Sequence, residues 1–104
     1  ESILQFQSFS LANPPHRLKD NIDYWIGSNY VKLEMYEDAI TQFETVINSY
    51  PRGNKVHDSR FMLGRVYSLK GESSRAVEIL QSALKNNPPS EVRGKILKQL
   101  KDIQ

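Results

Sequence analysis

Leu63 to Pro88 reads LGRVYSLKGESSRAVEILQSALKNNP, and Ile26 to Pro51 reads IGSNYVKLEMYEDAITQFETVINSYP. Sliding one over the other by 37 residues keeps small residues on small, large on large and breakers on breakers. Ile26-Gly27 falls on Leu63-Gly64, Tyr30 on Tyr67, Ala39-Ile40 on Ala76-Val77, Phe43 on Leu80, Val46-Ile47 on Ala83-Leu84, and Pro51 on Pro88. Self-similarity at a period of roughly 20 to 50 residues marks supersecondary units that bury their apolar faces only against neighbouring copies. Carried backwards, the shift sets Pro14 on Pro51, Phe9 on Val46 and Phe6 on Phe43. Residues 1–16 are therefore expected to close a preceding unit, followed by units at 17–53 and 54–90 and a capping helix at 91–104.

Within each unit the apolar residues recur at helical spacing, as in Ile22, Trp25, Ile26, Tyr30 and Leu33, and then Ala39, Ile40, Phe43, Val46, Ile47 and Tyr50. Two helices per unit follow. Six are predicted, near 1–13, 17–33, 36–50, 55–70, 73–87 and 90–103. The break inside the second unit falls at Lys70-Gly71-Glu72-Ser73, where Gly71 can take the left-handed conformation that ends a helix. The second helices stop at Pro51 and Pro88, because proline lacks the amide hydrogen and pushes its predecessor out of the helical region. Ser90 is the expected N-cap of the last helix, whose stripe is Val92, Ile96, Leu100 and Ile103.

Gly27 and Gly64 sit mid-helix, where glycine is disfavoured by about 1 kcal/mol relative to alanine. Close approach of a neighbouring helix is the expected reason. Ala39 and Ala76 would serve the same end on the partner helix, and Tyr30 and Tyr67 would fill the space beside it.

These positions resemble the tetratricopeptide repeat, whose signature runs Leu-Gly, Tyr, Gly, Ala, Phe, Ala, Pro. The second unit supplies Leu63-Gly64, Tyr67, Gly71, Ala76, Leu80, Ala83 and Pro88. The first supplies Ile26-Gly27, Tyr30, Ala39, Phe43 and Pro51, with Val46 and Glu34 departing from the pattern and Asp23 standing in the signature tryptophan slot. The resemblance implies an all-α fold of antiparallel helix pairs stacked as a short right-handed solenoid of about six helices. The phrases Asp23-Tyr24-Trp25-Ile26-Gly27, Tyr36-Glu37-Asp38-Ala39-Ile40 and Tyr50-Pro51 are similar to those of the periplasmic Tol-Pal system and outer-membrane assembly proteins of this class. That similarity implies a cell-envelope or periplasmic setting, a role in cell division, and an envelope partner such as TolA, with the cytosol as the alternative.

In this family the first helix of each pair lines a concave groove. Matching its groove slots gives Asn21, Tyr24, Ser28, Val31 and Lys32, then Asp58, Phe61, Arg65, Ser68 and Leu69, with Lys95, Lys98 and Asp102 from the last helix. Tyr24, Ser28, Phe61 and Arg65 do not form the family's carboxylate clamp. Two aromatic anchors beside an arginine suit a peptide or helix with apolar anchors and an acidic group. Burial of both rings by an adjacent helix is the competing reading.

The remaining chemistry narrows the choice. The 104 residues hold 38% apolar and 25% charged side chains, ten aromatics and no cysteine, which suits one soluble domain and excludes disulfide and cysteine-metal chemistry. No apolar run reaches the roughly 18 residues of a membrane span. His16 and His57 are read as surface histidines without metal-ligand spacing, and no HExxH, GxSxG or phosphate-binding loop occurs. An interaction scaffold without catalytic residues, cofactor, metal or small-molecule substrate is expected. Net charge is −3 over residues 1–53 and +5 over 54–104. Nucleic-acid binding through Arg60, Arg65, Lys95, Lys98 and Lys101 is thus an alternative, against which stands the lack of aromatics interleaved along that stripe. A third reading is an oligomerisation module that self-associates through residues 1–13, where Ile3, Leu4, Phe6, Phe9 and Leu11 form an apolar face.

Overall fold

The computed structural model describes residues 16–103, all of whose regular elements are helices. They are α1 (His16–Lys32), α2 (Tyr36–Ser49), α3 (Val56–Leu69), α4 (Ser73–Lys85) and α5 (Ser90–Ile103). These match five of the predicted helices to within two residues. The sixth, at 1–13, lies outside the described residues.

The two intra-pair turns are built alike. At the end of α1 the Met35 N–H donates to the Tyr30 carbonyl at 2.9 Å and the Glu34 N–H to the Val31 carbonyl at 2.9 Å. At the end of α3 the Glu72 N–H donates to Tyr67 at 2.9 Å and the Gly71 N–H to Ser68 at 3.0 Å. This paired closure satisfies two orphan carbonyls and requires a left-handed residue just past the helix. Gly71 takes that position at φ 85°, and Glu34 takes it at φ 59° despite its side chain. Met35 and Glu72 then accept from the amides of Ala39 and Ala76, both at 3.0 Å, so one residue ends one helix and opens the next. A turn this short can only return the chain antiparallel.

Packing explains the repeated small residues. A Cβ on Gly27 would lie 2.7 Å from Phe43 Cε1, and one on Gly64 would lie 2.6 Å from Leu80 Cγ. Phe43 and Leu80 are fully buried, as are Ala39 and Ala76. The bulky side chain of the second helix thus presses directly on the backbone of the first. One core cluster joins Ala39, Ile40 and Phe43 of α2 to Leu63, Val66 and Tyr67 of α3 and Ala76 of α4. A second joins Leu80 and Ala83 of α4 to Val92 and Ile96 of α5, and Ile103 touches both.

The helices form two layers, and the smallest dimension of 19 Å is about two helix diameters. In one layer α3 touches both α1 and α5, whereas α2 and α4 of the other layer make no contact with each other. In stacked helix pairs such asymmetry goes with curvature toward the touching helices, here α1, α3 and α5. Lys70 ties the outer ends of the pairs together, reaching Glu37 at the start of α2 and Glu72 at 3.0 Å.

One expectation is corrected. Ser90 is not the N-cap but the first residue of α5, and the Pro89 carbonyl receives the Arg93 amide at 2.9 Å. The Pro88-Pro89 pair orients the chain into the helix one residue earlier than a serine cap would.

Gly27→Ala is expected to destabilise the fold by about 1–3 kcal/mol in urea melts, although alanine is the better helix former. Phe43→Leu in the same chain should recover part of that loss, so the double variant costs less than the two singles summed. Glu34→Gly should stabilise by about 1 kcal/mol, because only glycine occupies the left-handed region without a steric penalty. A chain destabilised by that change would contradict the turn geometry.

Candidate partner-binding groove

The groove residues proposed from the sequence lie on α1, α3 and α5. Tyr24 sits where α1 meets α3, its ring centroid 5.8 Å from Phe43 and 5.2 Å from Trp25, the latter edge to face at 78°. Burial first, and then the Asp58 carboxylate, push its phenol above the usual tyrosine range, while the Ser28 hydroxyl and the Arg65 guanidinium pull the other way. Four of the candidates, Tyr24, Ser28, Asp58 and Arg65, therefore share one seam between two helices. The tyrosine keeps its proton there and acts as a neutral hydrogen-bonding group.

Phe61 lies apart from Tyr24, half-buried against the second core cluster next to α5. Each ring fills the seam between its own helix and the next first helix, and each leaves part of its surface outside. Ser28 is corrected from a contact surface to an interior group, being only 8% exposed. Val31 packs half-buried on the first cluster. Asn21 and Ser68 are half-buried, while Lys32, Arg65, Leu69, Lys95, Lys98 and Asp102 are exposed. His57 is likewise corrected from a surface histidine. It is half-buried, and burial and Arg60 lower its pKa against the opposing pull of Asp58. The His16 side chain lies outside the described residues.

The profile of the family described as Tetratricopeptide repeat matches residues 23–53 and 58–90, more than half of the chain. The chain belongs to the tetratricopeptide repeat family. Comparison with curated proteins returned no match. Tetratricopeptide repeats mediate protein–protein interaction, and the stacked helix pairs are the family's solenoid. Among the described residues no helix is long and apolar enough to cross a membrane.

The turn between the two tetratricopeptide repeats holds interactions that pattern reading did not find. Asp20 is fully buried, and its Oδ2 accepts the Lys55 amide at 3.0 Å. A Cβ on Gly53 would lie 2.3 Å from that same oxygen, so glycine is needed for the carboxylate to reach the turn. Tyr50 donates to Asp23 Oδ2 at 3.2 Å, and the Asn54 amide donates to Asn21 Oδ1 at 3.4 Å. An open hollow of about 680 Å³ lies over this turn, lined by Asp20 and residues 49–54. Asp23 stands in the slot where the family has tryptophan, so a hydrogen bond to Tyr50 replaces apolar packing. That substitution was the sequence's one signal for the arrangement.

The turn also places Lys55 over two rings, its Nζ 5.1 Å from the Tyr24 centroid and 5.8 Å from that of Trp25. Trp25 is 47% exposed, so a large aromatic surface adjoins the seam.

Burial raises the pKa of Asp23, outweighing the hydrogen bonds from Tyr50 and Gln42 and the charge of Lys19, with Asp20 adding to the rise. A carboxyl whose folded pKa is raised favours the folded state while protonated and loses that contribution as pH rises from its unfolded value of 3.8 through the folded one. Asp23→Asn keeps an acceptor for Tyr50 and removes the titration. The stability of this variant relative to the parent should therefore rise as pH climbs from about 4 in denaturant melts, and a constant difference would refute the assignment.

Proposed function

We propose that the chain is a non-enzymatic interaction module that holds a peptide or helix of a protein partner against the inner layer of α1, α3 and α5. The observation that carries this reading is the one-sided contact of the stack. The first helices touch while α2 and α4 stand apart, the asymmetry with which stacked helix pairs curve into a concave face. On that face Tyr24 and Phe61 offer partly exposed ring surface, and Lys32, Arg65, Lys95 and Lys98 offer cations. Aromatic surface beside arginine is the composition of interface anchors.

The finer setting rests on the sequence phrases around Trp25, Tyr36 and Tyr50 alone: a periplasmic, cell-envelope module serving Tol-Pal function and cell division, with TolA as a candidate partner. Charge reversal at exposed positions tests the groove without disturbing the core. The triple variant Lys32→Glu, Arg65→Glu, Lys98→Glu, shown to be folded by circular dichroism, is compared with the parent in capture of purified TolA and of envelope extract. Loss of the captured protein by the variant is the expected result. Equal capture by both would move the site off this face, and failure to retain TolA or any envelope protein would remove the envelope setting. Sedimentation of the parent distinguishes partner binding from self-association.

A further inference from the structure

We infer that Trp25 and Lys55 form an anchor at the mouth of the groove for a partner segment that places a carboxylate beside a large apolar side chain. The inference rests on the groove reading above and specifies the partner's chemistry. Lys55 closes the turn after Pro51 through its backbone amide, which Asp20 holds at 3.0 Å, so the origin of its side chain is fixed. From there the stem carries Nζ over Tyr24 at 5.1 Å and Trp25 at 5.8 Å. Among the described residues the ion pairs are those of Lys70 with Glu37 and Glu72, so the Lys55 ammonium has the rings and no carboxylate within ion-pair distance.

A cation over aromatic faces is stabilised on the ring side and keeps its other hydrogens for an acceptor. Trp25 stands edge to face with Tyr24 and is 47% exposed, although tryptophan is on average a highly buried residue. Its open surface, the Lys55 ammonium and the Tyr24 edge lie within one side chain's reach. Across the candidate groove Lys32, Lys55, Arg65, Lys95 and Lys98 stand against Asp58 and Asp102, while Asp20 is buried on the Lys55 amide and Asp23 accepts from Tyr50. Complementarity to this surface selects an acidic segment, since charges of opposite sign steer encounter and like charges repel wrong partners. An apolar residue of that segment covers Trp25 while its neighbouring carboxylate meets Lys55.

Trp25 is the single tryptophan, so its fluorescence reports this anchor directly. The probes are three blocked peptides without tryptophan that share a Leu-Phe centre, flanked by glutamates, glutamines or lysines. The glutamate peptide is expected to bind by calorimetry and to move Trp25 emission to shorter wavelength. Its affinity should fall as salt rises from about 50 mM to about 500 mM, where screening shortens the reach of charge. Lys55→Gln keeps the backbone amide and should weaken binding by about fivefold or more with the melting temperature unchanged. Calorimetric binding with unmoved Trp25 emission and no effect of Lys55→Gln would overturn the anchor and leave the groove reading standing. Equal or tighter binding of the glutamine or lysine peptide would overturn the acidic preference. Absence of binding by all three overturns the anchor too, while the TolA and extract capture still decides the groove itself.

Discussion

Everything in this fold depends on two backbones being bare. Gly27 and Gly64 carry no Cβ, and into each gap goes the largest fully buried side chain of the following helix, Phe43 or Leu80. The contact sets how closely each pair of helices lies and, with Ala39 and Ala76 at the same crossing, at what point they cross. A wider pair would carry its successor away from the first helices, and the seams filled by Tyr24 and Phe61 would open. The helix-propensity loss of two mid-helix glycines is small beside the burial of a Phe and a Leu side chain.

The turns add direction to that distance. Tyr30 and Tyr67 each lend a ring to the core and a backbone carbonyl to the closure of the helix end. The first repeat makes the same closure with Glu34 in the left-handed position, which shows how strongly tertiary packing holds the turn once the helices are paired. Between repeats the device is different. A buried carboxylate, Asp20, lies against Gly53 and accepts the Lys55 amide, so a polar contact beside the apolar core ties α1 to the start of α3.

The repeat and its helices were legible because packing needs only size classes in order: a gap, a bulky partner, a small neighbour and a proline. Those classes survive in the chain even where the residue changes, as in Phe43 for Leu80. The groove was less legible because the same aromatic slot serves two purposes. Tyr24 and Phe61 both seal a seam and leave part of their surface outside it, and nothing in the pattern divides a ring between the two. Ser28 occupies a groove slot yet points its hydroxyl to a neighbour, an outcome set by a ring four residues back. The pairings of Asp20 with Lys55 and of Lys55 with Trp25 join residues of two repeats through a turn of irregular backbone, for which periodicity carries no information.

The splay of α2 from α4 has a mechanical meaning. α2 meets the second repeat through α3 and not through α4, so the angle between the repeats is held by packing across the layers while the outer edge has no helix-to-helix contact of its own. Lys70, tied to Glu37 and Glu72, is an elastic thread across the open edge, and such surface ion pairs are weak. A change in the angle between the repeats would therefore disturb the α2–α3 packing first and leave Phe43 and Leu80 seated within their own helix pairs.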